Sequence, residues 1–152
     1  MTVAQSQYAS TTQLISLSIT PQAGARYGDV AMNAALQAAS SRADTYLASQ
    51  FTLPLVSWDM QLTRVVCDLA AFDLARQYGL NPSAPDFGAY KSLFDGSMGW
   101  LQQVRTQEIT PQYEDADGAP GNVEEGGPFV VSSTTRGYVE RDRNSIGPFS
   151  DD

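Results

Sequence analysis

Residues 46–55 read Tyr-Leu-Ala-Ser-Gln-Phe-Thr-Leu-Pro-Leu, and no other run constrains the fold of this chain as much. Upstream of it, Met32, Leu36, Ala39, Ala43, Tyr46 and Leu47 recur every three or four residues, the spacing of one helical face. Pro54 cannot extend that helix, because it lacks an N–H and pushes the residue before it into extended backbone. A second helical pattern opens near Trp58. The run is therefore a join: a helix closes on Tyr46 and Leu47, a hook of Phe51, Leu53, Pro54 and Leu55 follows, and another helix starts. Leu53 and Leu55 are expected to anchor the hook in the bundle. The join carries no charge, sulfur or metal ligand, so its expected work is architectural.

Four helical segments are legible before residue 110. Ser10-Thr11-Thr12 offers N-caps for a short helix with Leu14, Ile15 and Leu17, since a cap hydroxyl accepts from an otherwise unpaired N–H. Pro21 and Gly24 are expected to break the chain after it. The second helix is expected from Gly28 or Asp29 to Gln50, its alanines permitting close approach by a neighbour. The third starts near Ser57, read as its N-cap, and ends at Tyr78 with Gly79 past its end. Leu62, Val65, Val66, Leu69, Phe72 and Tyr78 give it the widest apolar face, so it is expected to be the most buried. After the turn Asn81–Pro85, a fourth helix begins at Pro85 or Asp86, with Tyr90, Leu93, Phe94, Leu101 and Val104 on one face. Gly88, Gly96 and Gly99 cost that helix roughly 1 kcal/mol each where exposed, so packing must compensate.

The character changes at Pro111. Residues 111–128 hold Glu114, Asp115, Asp117, Glu124 and Glu125, no basic residue, four glycines and three prolines. Such a stretch lacks the apolar surface to order itself and reads as a linker with solvated acids. Beyond it, residues 129–152 form a β-prone arm in which Phe129, Val130, Val131, Tyr138, Val139, Ile146 and Phe149 are candidate docking residues. The expected organisation is all-α over 1–110, an acidic linker over 111–128 and an extended arm over 129–152.

Chemistry is sparse. The chain has no histidine, which removes the usual general base and the commonest zinc ligand. Gly96-Ser97-Met98-Gly99 lacks the first glycine of a nucleophile elbow, since Asp95 stands there. A calcium-loop spacing starting at Tyr113 lacks its first acidic ligand. Cys67 lies in an apolar helical stretch and reads as a small core residue. No enzyme activity, cofactor or metal is expected. The net charge of −8, from nine basic and seventeen acidic residues, argues against binding phosphate backbones or anionic membranes. No apolar run approaches the ~20 residues of a membrane span, and no signal peptide is visible at the amino terminus. A soluble protein made in the cytoplasm is expected. Arg42, Arg64 and Arg76 are candidate salt links to other subunits.

Tyr8-Ala9-Ser10, the stretch Ala34-Ala35-Leu36-Gln37-Ala38-Ala39-Ser40, and Tyr46-Leu47 with the hook Phe51–Leu55 resemble the Mu gp36-like family of phage head–tail junction proteins. The helix between Arg64 and Arg76, Tyr90 and Trp100-Leu101 are similar too, and Gly137–Asp142 faintly resembles that family's ending. Two positions depart from the pattern: Gln50 replaces a residue that is often basic, and Thr106-Gln107-Glu108 replaces a glycine after the fourth helix. The resemblance implies a small helical connector in a homo-oligomeric, typically dodecameric ring beneath the portal protein. It would join a DNA-filled head to a tail, stopper or terminator protein and let genomic DNA pass without specific binding. That implies a location at the head–tail interface of the virion, after assembly in the host cytoplasm. Two other readings stay open: a tail-completion or terminator ring, and a non-virion helical module recruiting a partner through its C-terminal arm.

Overall fold

The structure, a computed structural model, describes residues 7–117. Among these residues the fold is all-α, with helices α1 (Thr11–Leu17), α2 (Pro21–Tyr27), α3 (Asp29–Leu47), α4 (Met60–Gln77) and α5 (Phe87–Arg105). There are five helices where four were expected. The extra one is α2, which Pro21 starts rather than breaks. At the first helical position its missing N–H has no intrahelical partner to lose, and the Thr20 hydroxyl caps the turn by accepting from Ala23 N at 3.2 Å. Gly24 lies inside α2 and is buried; a Cβ there would meet Ile15 Cγ1 at 3.0 Å. Its role is close packing against α1. Gly28, at φ +79°, then closes α2 and opens α3.

Local chemistry sets the other boundaries. A capping box on Ser10 and Gln13 starts α1 as the sequence suggests. α3 stops at Leu47, three residues before the expected Gln50, and Gln50 N and Phe51 N both turn back to the Leu47 carbonyl at 2.9 Å. α4 begins after Asp59 rather than Ser57, because the Asp59 carboxylate accepts from Leu62 N at 3.0 Å. Ser57 pairs instead with Glu114 across an isolated antiparallel bridge. At the far end Gly79 adopts φ +91°, and Leu80 N reaches Ala75 O at 2.8 Å. That is the helix stop expected of a glycine just past a C-cap.

α4 is the centre of the body, packing against α1, α3 and α5. Leu62, Val66, Leu69 and Leu74 are fully enclosed. Cys67 is likewise buried and unpaired, and burial pushes its thiol up to about 12. On α3, Leu36, Ala39, Ser40 and Ala43 are buried, and the small side chains of the last three allow the close approach read from the alanine stripe. α5 contributes Ser97, Leu101 and Val104 to the interior. Leu93, expected on its buried face, is 43% exposed: the buried stripe follows Tyr90, Phe94, Ser97, Leu101 and Val104, and Leu93 lies off it. Space is open beside Gly88, Gly96 and Gly99, so packing elsewhere along α5 carries their propensity cost.

The first residues of the expected linker pack against the helical body. Pro111, Tyr113 and Asp115 are buried, and residues 111–117 fold back onto the helix join. Residues 118–128 of the expected linker lie outside the described residues, as does the whole arm with Phe129, Val130, Val131, Tyr138, Val139, Ile146 and Phe149.

Candidate functional site at the helix join

Between Leu47 and Met60 the chain reverses direction, and every element near the turn is tied to it. Leu47, Phe51 and Leu55 are buried, while Tyr46 and Leu53 are half-buried and packed against the same core. Pro54 is exposed, and the Leu53–Pro54 peptide is cis. Leu53 and Leu55 thus anchor the hook, as the sequence suggests.

Gln50 has a role its sequence position did not disclose. Its side-chain amide is buried and donates to the Val104 carbonyl, and to the Ile109 carbonyl at 3.2 Å. Val104 lies in the last turn of α5, whose final carbonyls have no intrahelical donor. Gln50 therefore couples the end of α3 to the end of α5. The turn after α5 is completed by Gln107 at φ +63°, with Glu108 N bonded to Gln103 O at 2.9 Å. Gln107 thus occupies the left-handed position that glycine takes without strain.

The returning segment 111–117 closes the join from outside. Val56 N donates to Glu114 O at 2.7 Å, and Ala116 N to Thr52 O at 3.1 Å. The Asp115 carboxylate accepts from Thr52 N at 3.0 Å and from Asp117 N at 3.1 Å. Asp115, expected as a solvated acid, is instead only 6% exposed. The Tyr113 ring stacks on Phe51, centroids 5.5 Å apart, and its hydroxyl donates to Asp59 Oδ1 at 2.8 Å. Burial, reinforced by that hydrogen bond and the Asp59 charge, raises the Tyr113 phenol above its ordinary pKa. The only sequence signal for this anchor was one aromatic residue amid acids.

A matching clamp holds the segment before α1. The Tyr8 hydroxyl donates to Asp44, and the Tyr8 carbonyl accepts from Trp58 Nε1 at 3.1 Å and Thr63 Oγ1 at 3.0 Å. Tyr8 N donates to Ser40 Oγ at 3.2 Å, and the Tyr8 and Trp58 rings meet edge-on at 5.0 Å. Burial is the main reason that the Tyr8 phenol and the Asp44 carboxyl are both raised; the bond between them raises the phenol further and draws the carboxyl part of the way back. A 420 Å³ groove beside this clamp, lined by Gln7, Ser10, Gln13, Asn33 and Trp58 among others, gathers no pair of groups suited to acid–base work.

The remaining predicted charges divide by location. Arg42 on α3 meets Asp73 on α4 within the same chain, at 3.4 Å, and lies 5.8 Å from the Phe94 ring centroid. Arg64 and Arg76 are exposed. Asp68 is buried beneath a 330 Å³ groove between α4 and α5 and accepts from Ser18 Oγ at 2.7 Å. Burial raises its carboxyl, offset in part by Ser18, Arg64 and Ser97. Among the described residues no group of three His, Cys, Asp or Glu side chains could hold a metal ion, and no helix is long and apolar enough to cross a membrane.

The arrangement is thus a join whose polar groups bond to one another and to backbone. Comparison with known families decides its kinship: the model described as Bacteriophage Mu, Gp36 matches residues 6–128. The chain belongs to the Bacteriophage Mu Gp36 family. The matched span contains the Tyr8 clamp, the whole helical body and the Tyr113 anchor, and membership points to a phage structural protein. No curated protein matches the chain.

Proposed function

We propose that this chain is a virion protein of the head–tail junction, an adaptor that forms a ring beneath the portal and links the DNA-filled capsid to the tail. The observation that carries the reading is membership of the Gp36 family over residues 6–128. The geometry supports it in two ways. The helical body is braced at both its first and last segments, by Tyr8 against Asp44 and by Tyr113 against Asp59, as suits a load-bearing part. Its buried polar groups serve packing and capping, so the proposed role includes no catalytic step. The partners in this reading are the portal protein, sister subunits in a dodecameric ring, and a tail, stopper or terminator protein. A net charge of −8 suits a wall past which DNA moves without adhering, since like charges repel.

Deleting the whole chain in the producing phage or prophage tests this, and deleting residues 129–152 tests the arm by itself. The expected result is DNA-filled heads that lack tails or leak their genome, seen by electron microscopy. Unchanged yields of complete particles would sink the reading.

A further inference from the structure

Segment 111–117 meets the helix join in two separable ways. Its backbone pairs along the hook: Val56 N and Ser57 N donate to Glu114 O at 2.7 and 3.2 Å, and Ala116 N donates to Thr52 O at 3.1 Å. Main-chain bonds of this kind accept an extended segment of almost any sequence, and side-chain pockets then select among segments. Two side chains do the selecting here. Tyr113, 1% exposed, stacks on Phe51 and donates to Asp59. Asp115, buried two residues on, accepts from Thr52 N. Glu114, Ala116 and Asp117 are exposed. The join therefore selects a tyrosine followed two places later by a carboxylate.

The chain holds such a segment twice. Tyr113-Glu114-Asp115-Ala116-Asp117 and Tyr138-Val139-Glu140-Arg141-Asp142 both place tyrosine first, a carboxylate third and aspartate fifth. None of the other five of the seven tyrosines has carboxylates at both places. The two segments differ in chemical character only at the second and fourth places, which in 113–117 are exposed. Asp115 also accepts from Asp117 N at 3.1 Å, a local turn suited to the short aspartate side chain. Glu140 is one methylene longer, so 113–117 is the preferred occupant. Reach is ample: 28 residues separate Ile109, held by Gln50, from Tyr138, a span on the order of 90 Å when extended. Closing so long a loop costs little more than closing a shorter one.

We propose that residues 138–142 compete with 113–117 for the helix join, which is thus an exchangeable docking site for a C-terminal segment of the same chain. Both segments need the Phe51 ring and the Asp59 carboxylate, so one seats at a time. Seating 113–117 leaves Tyr138 and Val139 to an outside partner; seating 138–142 withdraws them. The exchange is an autoinhibitory device for the arm, and in that consequence alone it rests on the proposed junction role.

The test is disulfide linking in the full chain. Ser57 and Glu114 face each other across the bridge, the spacing at which paired cysteines link. Ser57→Cys with Glu114→Cys reports the first occupant, and Ser57→Cys with Val139→Cys the second. Native Cys67 is buried, with its thiol raised to about 12, so it does not compete. The second pair should link within single chains, at a yield that does not fall on dilution. Tyr113→Ala should raise that yield about tenfold, the least that losing a hydrogen bond to a charged group implies; Tyr138→Ala should abolish it. Circular dichroism checks that Tyr113→Ala stays helical. A second measurement leaves Tyr113 in place: a synthetic peptide of residues 136–144, in excess, should suppress linking of the first pair, and its Tyr138→Ala form should not. No linking of the second pair, linking indifferent to Tyr138→Ala, linked dimers that fall on dilution, or a peptide without effect would each overturn the exchange. These readouts use purified chain, so their failure leaves the junction role standing; that role falls instead on unchanged particle yields after deletion of the chain.

Discussion

The hydroxyl of Tyr113 donates to Asp59 at the same carboxylate oxygen, Oδ1, that caps α4 by accepting from Leu62 N, at 2.8 and 3.0 Å respectively. One atom thus starts the central helix and holds the last described segment against the join. Tyr113→Phe keeps the ring on Phe51 and removes only the hydroxyl. A hydrogen bond to a charged group contributes about 1.5–3 kcal/mol, so a loss in the lower part of that range is expected from urea denaturation. A change below about 0.5 kcal/mol, the least a hydrogen bond typically contributes, would show that the stacked ring alone holds the segment.

Gln50 joins α3 to the end of α5 from a buried position. Gln50→Leu removes the side-chain donor to the Val104 and Ile109 carbonyls, of which Val104 keeps Gln107 N at 3.1 Å, so a cost of roughly 0.5–1.5 kcal/mol is expected. Hydrogen exchange gives a local readout: the last turn of α5 should lose protection more than the middle of α4 does. Equal loss at both places would argue for global destabilisation with no specific capping role.

Gln107 sits at φ +63° past the end of α5, a conformation that costs a side-chain-bearing residue roughly 1–2 kcal/mol. Gln107→Gly removes that strain but adds unfolded-state freedom. A net gain of roughly 0.5–1 kcal/mol is expected, seen as a higher denaturant midpoint at unchanged slope. A lower midpoint would mean that the Gln107 side chain makes compensating contacts.

Burial raises the carboxyls of Asp44 and Asp68 above their ordinary values. In the window between the unfolded value near ~4 and the raised native values, the unfolded chain binds fewer protons than the native one, so stability falls as pH rises. The contribution of these two groups is full below the unfolded pKa and is lost as pH passes the native ones. Asp68→Asn keeps an oxygen to accept from Ser18 and removes the buried charge. Urea midpoints across this window should fall less steeply with pH for Asp68→Asn than for the native chain; parallel curves would show that Asp68 does not carry the dependence.

Much of the helical body was legible because its causes are local. The three-and-four spacing of Met32, Leu36, Ala39 and Ala43, the cap at Ser10 and the stop at Gly79 each act within a few residues, so neighbouring sequence reveals them. The candidate site was legible only in part. Leu53 and Leu55 could be read as anchors from polarity, but the partners of Gln50 lie 54 and 59 positions away in sequence. Asp115 looked solvated because all its charged neighbours are acids. Its burial depends on the Thr52 amide, a group with no sequence signature.

By itself the sequence determined an all-α body with a join at Tyr46–Leu55, the absence of histidine chemistry and the kinship with Gp36, all properties of residue type and short-range order. Tertiary structure decided that residues 111–117 pack on the helix join, which carboxylates are buried, and which cations are used within the subunit. Those outcomes depend on long-range partners: Asp73 for Arg42, Asp59 for Tyr113, Thr52 for Asp115. A buried polar group is stable only where a partner meets it, and folding alone brings such partners together.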